Sequence, residues 1–345
     1  MSAPSLNRRS FTVLAAAAIA APTLHAQGKL EKTKLAIAVG GKASFYYLPL
    51  TISEQLGYFK AEGLDVEISD FAGGAKALQA LVGGSADVVN GAYEHTINMQ
   101  AKNLFIQSFV LMGRAPQIAM GVSTKTLAHY KGFADLKGKK IGVTAPGSST
   151  NMVANLLLSR AGLKPSDVSY VGVGTSAGAI SAMRSGQIDA ICNIDPVMTM
   201  LEQKGEVRII SDTRTLKGTH EVFGGPMPAA CFYTHAEFLK NNPNTCQGLA
   251  NAVVRGLKWL QTAGPSDIIK TVPESYLLGD RALYLASFNK VREAIALDGI
   301  MPEEGARTAL KALASFEPAI KPERIDLAKT FTNDFARRAK EKYKA

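Results

Sequence analysis

A β-α-β-α-β pattern that occurs twice in succession constrains this chain more than any other feature. Lys34-Leu35-Ala36-Ile37-Ala38-Val39 reads as a strand that ends at Gly40-Gly41. Leu48, Ile52 and Leu56 follow at helical spacing, with Gly57 as the stop. Val66 to Ile68 (strand), Leu78 to Val82 (helix) and Asp87 to Asn90 (strand) complete the first unit. The second opens at Lys140-Ile141-Gly142-Val143 and runs through a helix with Met152, Val153, Leu156 and Leu157 that stops at Gly162. Val168 to Val173, Ile180 with Met183, and Ile188 to Ile191 finish it. Shifting residues 65–87 by 102 places Asp65, Val66, Ala75, Ala77, Ala80, Gly84 and Asp87 on identical residues, without a gap. Duplication and shared helix-on-strand packing both account for these identities.

Strands separated by helices need right-handed crossovers, so each unit forms a mostly parallel sheet. Ligands of such sheets bind beyond the carboxyl ends of the strands. Two units side by side therefore face one another across a cleft of post-strand loops. Extended segments at Ile106 to Met112 and Ile118 to Ser123 lead out of the first unit, and Val207 to Ser211 and Ala229 to Thr234 lead back. Two crossings describe a hinge rather than a tandem linker. The chain of 345 residues is long enough for two domains. The first is expected at 27–118 with 225–345, including the C-terminal helices, and the second at 119–224.

Residues 1–26 read as an export signal: Arg8-Arg9, an Ala-rich apolar run from Phe11 to Ala21, and a small-residue end at Leu24-His25-Ala26. The run is too short to span a bilayer. Paired arginines before Ser10-Phe11 resemble a twin-arginine signal, with a general secretory signal as the alternative. Cys192 is the first cysteine, so a lipid anchor behind the signal is not expected.

The net charge of +10 falls to +8 without Arg8 and Arg9. Most remaining cations stand singly among acids, and only Arg337-Arg338-Ala339-Lys340-Glu341-Lys342 forms a basic cluster. A solvated face explains this better than a nucleic-acid surface. Cys192, Cys231 and Cys246 lack metal-ligand spacing, and an odd count leaves at least one thiol outside any intrachain disulfide. His95, His129, His220 and His235 form no paired motif, so no metal or cofactor is expected.

The run Pro49-Leu50-Thr51-Ile52-Ser53-Glu54-Gln55-Leu56-Gly57-Tyr58-Phe59-Lys60-Ala61-Glu62-Gly63-Leu64-Asp65-Val66 closely resembles the first-helix signature of periplasmic solute-binding proteins of ABC importers. The branch is the nitrate/sulfonate/taurine group, which includes thiamine-pyrimidine binders. Leu136-Lys137-Gly138-Lys139-Lys140-Ile141-Gly142-Val143, Pro146-Gly147-Ser148-Ser149 and Gly186-Gln187-Ile188-Asp189-Ala190 match its second-domain segments. The resemblance covers about 34–235 well and implies a two-lobed type II periplasmic binding fold. It further implies a periplasmic monomer without cofactor that hands a small solute to an inner-membrane ABC permease. Many members carry an aromatic and a glutamate before a proline where this chain has Ile194-Asp195-Pro196, so known ligands do not transfer. A pyrimidine-synthase-like enzyme on the same fold, or a ligand-sensing receptor, are the alternatives.

Candidate ligand-binding residues sit at the strand ends. Gly147, Ser148, Ser149 and Thr150 open a helix, where free N–H groups and hydroxyls make an anion site; plain N-capping is the competing role. Gly74 opens a helix in the first unit, either admitting a ligand or only making the turn. Ser44 and Tyr46 come from the first loop, and Tyr93 and Glu94 follow the third strand. The repeat places Asp195 opposite Tyr93. Either tyrosine could stack on a solute or simply pack. Glu94 and Asp195 would repel a bare anion if they face the cleft, and otherwise serve as helix N-terminal carboxylates.

Overall fold

The computed structural model describes residues 28–345; the expected export signal lies outside them. Ten strands make two five-stranded sheets. In the first, β1 (Lys34–Val39) pairs in parallel with β2 (Asp65–Asp70) and β3 (Val88–Ala92). Strand β10 (Ala230–His235) lies antiparallel between β3 and β4 (Ile106–Leu111). The second repeats this plan with β5 (Ile118–Ser123), β6 (Lys140–Val143), β7 (Ser169–Gly172), β8 (Ala190–Ile194) and β9 (Val207–Asp212). The orders β2-β1-β3-β10-β4 and β7-β6-β8-β5-β9 correspond strand for strand. In both sheets the lone antiparallel strand is one the chain supplies by crossing between them, β5 on the way out and β10 on return.

Three of the seven identities at an offset of 102 have a direct structural cause. The Asp87 carboxylate accepts from the Ala36 N–H at 2.9 Å, and the Asp189 carboxylate accepts from the Lys140 N–H at 3.0 Å. Each aspartate thus satisfies the start of its unit's first strand from the loop before its third. Gly84 and Gly186 follow the helices Gly74–Val82 and Ala177–Ser185 with φ of 76° and 77°, a conformation that suits glycine. Ala77 and Ala179 are fully buried where these helices lie on their sheets. Packing and capping requirements account for these three identities.

The helix Pro243–Thr262 returns to the first sheet and buries Cys246, Leu249, Val253, Leu257 and Leu260 as one stripe. A Cβ on Gly256 would lie 2.5 Å from Ser53 Oγ, so glycine lets this helix meet the helix Leu48–Gln55 closely. Ser53 Oγ is itself satisfied, donating to Pro49 O at 2.8 Å. The terminal helix Asp334–Tyr343 pairs its cations within the molecule: Lys340 with Asp298 at 2.8 Å and Lys342 with Glu62 at 3.3 Å. Cys192, Cys231 and Cys246 are free and buried.

The two crossings run side by side. Ala229 N–H donates to Gly113 O at 2.8 Å, and Gln117 N–H donates to Thr213 O at 3.1 Å. This paired ribbon sets the carboxyl ends of β1 and β3 opposite those of β6 and β8.

Candidate functional site

Where those strand ends meet, a cavity of about 10 Å³ is lined by Gly40, Tyr46, Tyr47, Gly74, Ile118, Thr144, Ser148, Ser149, Thr150 and Ile194. That volume holds roughly one water, so a larger solute requires the two sheets to part. A wider groove of about 860 Å³ lies outside, mainly along aliphatic side chains of the helices Gly74–Val82 and Glu94–Gln100. The converging hydroxyl and backbone donors belong to the small cavity.

The helix Ser149–Arg160 supplies most of them. Its N-cap residue, Ser148, does not cap with its side chain. Ser148 Oγ instead accepts from Ala75 N–H at 3.0 Å, across the gap between the two sheet units. The first N–H groups of a helix have no intrahelical acceptor, so the positive end of this helix opens on the cavity. Thr150 Oγ1 accepts from Thr144 N–H and meets Thr144 Oγ1, both at 3.0 Å, fixing the turn between β6 and the helix. Gly147 completes that turn at φ 85° and donates its N–H to Asn151 Oδ1 at 2.9 Å.

The glycine turn of the first unit presses against this one. A Cβ on Gly73 would approach Ala145 Cβ to 2.9 Å and Ser148 Oγ to 3.1 Å, and one on Gly40 would lie 2.2 Å from Gly74 N. The Gly40 approach is to the backbone of Gly74, whereas Gly73 faces side-chain atoms of the second unit. Phe45 N–H donates to Asp195 O at 3.2 Å, a second bond between the units.

Glu94 lies behind this wall, 2% exposed, with Oε1 lacking any protein partner. Burial pushes its carboxyl up to about 7, opposed by the Ser149 hydroxyl and by its own backbone N–H. The Ser149 hydroxyl also acts on Tyr46, whose own hydroxyl is pushed up chiefly by burial and then by the charge of Glu94. Next to Glu94, burial pushes the His95 ring down to about 4. His95 Nδ1 meets Tyr233 Oη at 3.0 Å, and Nε2 has no partner.

Of the residues singled out from sequence, Tyr46, Gly74, Ser148, Ser149 and Thr150 line the cavity together. Glu94 stands behind Tyr46 and Ser149, and Gly147 shapes the turn. The others point elsewhere. Ser44 Oγ donates to Gly41 O at 2.8 Å, and Tyr93 Oη meets Thr330 Oγ1 at 2.6 Å with its ring edge-on to Phe331. Asp195 Oδ1 accepts from Thr199 N–H at 2.7 Å and lies 3.6 Å from Arg214 Nη1.

Sequence reading missed Gly40, Tyr47, Ile118, Thr144 and Ile194 as cavity residues. Thr144 directly follows a strand end, the position the parallel-sheet rule singles out, and could have been found. It also missed Arg214, whose wholly buried side chain holds Asp212 at 2.6 Å, Glu202 at 3.0 Å and Asp195. Glu202 continues to Lys290 of the helix Arg281–Val291 at 2.7 Å, so this ionic chain joins the second unit to the first.

Comparison with known proteins adds four findings. A solved structure from Bordetella bronchiseptica RB50 is 62% identical, covering 92% of this chain and 100% of that one, with a TM-score of 0.91. The alkanesulfonate-binding protein SsuA of Xanthomonas axonopodis pv. citri, solved bound to MOPS, is 18% identical over 88% of this chain and 99% of its own, with a TM-score of 0.66. That likeness shows the fold alone, the two-sheet periplasmic binding protein fold. The 4-amino-5-hydroxymethyl-2-methylpyrimidine phosphate synthase of Schizosaccharomyces pombe is 24% identical over 232 residues, 65% of this chain and 64% of its own. The model of the NMT1/THI5-like family matches residues 44–265, which take in the first unit after β1, the whole second unit and most of the residues that line the cavity. With that match across most of the chain, and the fold of ABC-importer binding proteins around it, the chain belongs to the NMT1/THI5-like family.

Proposed function

We propose that this protein binds a small anionic or zwitterionic organic solute in the periplasm and delivers it unchanged to an ABC permease of the inner membrane. Two lobes, 27–118 with 225–345 and 119–224, close on the solute as a monomer, and the paired crossings act as the hinge. The observation that carries this reading is the uncapped start of the helix Ser149–Arg160, whose N–H groups and hydroxyls open on a cavity between the two units. An anionic head fits there because the helix end is positive and Ser148, Ser149 and Thr150 offer donors. Closure is stabilised by contacts the solute makes with both lobes and cannot make when they are apart.

The cysteines favour binding over catalysis. All three are buried and isolated, and burial pushes Cys231 and Cys246 up to about 12, the reverse of what a nucleophilic thiol needs. A thermal-shift screen of alkanesulfonates, aminosulfonates, nitrate, aromatic acids and pyrimidines, followed by calorimetry, tests the reading. A solute that stabilises the protein and is recovered unaltered supports it. Turnover of the bound compound, or no stabilisation by any of these classes, contradicts it.

A further inference from the structure

The acid behind the cavity wall points to how a closed cleft accommodates an anion. Glu94 is buried, its Oε1 has no protein partner, and its polar neighbour across the gap is Ser149, at the start of the helix proposed to hold the anion. No cation is among the groups that act on it. The titratable groups that feel its charge are Tyr46 and Tyr47 from the first loop and Cys231 and Tyr233 from β10. All four are neutral near pH 7, because burial pushes each of them up. His95, beside it on the same helix, is pushed down to about 4 and is neutral too. Only the Ser149 hydroxyl and its own backbone N–H favour an ionised Glu94, burial outweighs both, and a solute anion nearby would oppose ionisation further. A neutral carboxylic acid, by contrast, can donate a hydrogen bond, as acids in apolar sites do, and through Ser149, which lines the cavity, that bond favours an anion.

We propose that Glu94 is neutral whenever the cleft closes on an anionic solute and donates its O–H to the Ser149 hydroxyl, which in turn donates to that solute, so that each anion bound takes up one proton from solvent. The inference rests on the proposed solute-binding function. It makes Glu94 a positioning residue that acts through Ser149: anions with a free acceptor oxygen are accepted with a proton, and a solute that presents an ammonium to Ser149 is not the natural one. The balance is simple. The carboxylate present without solute above about pH 7, a solvent proton and the solute anion become a carboxylic acid linked to that anion through the Ser149 hydroxyl.

Calorimetry with methanesulfonate, ethanesulfonate and butanesulfonate tests this, because these probes stay ionised throughout and any proton must come from the protein or solvent. Titrations in Tris and in triethanolamine, whose ionisation enthalpies differ, count the protons. Uptake should approach one proton per anion at about pH 8.5 and fall toward zero below about pH 5.5, while Kd rises about tenfold per pH unit above about pH 7. Glu94→Gln should bind with no proton uptake and a flat pH profile. Binding by the wild-type protein without buffer-dependent heat at pH 8.5, or with proton release, overturns the inference. It does so even if the variant fails to fold. An unchanged pH slope in a folded Glu94→Gln also overturns it. Absence of binding by all three probes at low and high pH overturns the anion-binding reading itself, and the inference with it.

Discussion

Replacing Arg214 by methionine strands charge in the second unit, and the structure sets how much. The guanidinium has no exposed surface, and its partners differ in what they can recover. Asp212 and Glu202 have side chains about a third exposed and can regain water; Asp195 is fully buried and cannot. Removing one partner of a buried ion pair costs about 3–5 kcal/mol, and stranded Asp195 places Arg214→Met in that range near neutral pH. Asp195→Asn in the same chain removes the stranded charge and should return about half of the loss or more. The pH dependence has a definite sign. Burial pushes the Asp195 carboxyl up and Arg214 draws it down, so the variant releases it further upward. A raised carboxyl weakens the native state as pH rises through its folded value, so the deficit deepens toward pH 8 and shrinks in acid. Arg214 holds Asp212 and Glu202 low, and the wild-type advantage from them also fades as pH falls. Urea denaturation followed through Trp259 at several pH values reads both effects. A loss under about 1 kcal/mol, or a double variant no more stable than Arg214→Met, refutes the assignment of the cost to Asp195.

Glu94→Gln should stabilise the ligand-free protein by up to about 3 kcal/mol at pH 8 and by nothing below about pH 4, measured by denaturation. The sign follows from a folded carboxyl pushed up to about 7, which keeps a proton that the unfolded chain releases at lower pH. Gly40→Ala must displace the Gly73–Gly74 turn, since its Cβ would lie 2.2 Å from Gly74 N. A loss of more than about 2 kcal/mol is expected by thermal denaturation. Ser148→Ala removes the acceptor for Ala75 N–H and should cost about 1 kcal/mol while weakening sulfonate binding in calorimetry.

Local pattern made the scaffold legible. Strand spacing, helix periodicity and the identities at 102 led to two matching units because Asp87, Asp189, Gly84 and Gly186 act on their own unit's strand starts and helix ends. The helix-opening run from Gly147 to Thr150 was legible for the same reason. Tyr46 and Tyr93 looked alike in sequence, yet only Tyr46 reaches the cavity. Tyr93 turns to Thr330, 237 residues away, a partner no local pattern announces. Arg214 was illegible because one arginine between two threonines has no periodicity, and its role exists only where three acidic segments converge. Ile118 and Ile194 line the cavity only because β5 crosses into the second sheet beside β8.

Closure of two lobes on a solute is the central claim, and a distance across the cleft tests it most directly. Gln79 lies on the exposed side of the helix Gly74–Val82, and Ser181 lies exposed on the helix Ala177–Ser185 of the other unit. Spin labels at these positions, with the three buried native cysteines replaced, report the gap by double electron–electron resonance. A broad, longer distribution is expected without solute, collapsing to one short distance when a binding sulfonate is added. One distribution, unchanged by a solute that calorimetry shows to bind, would contradict it.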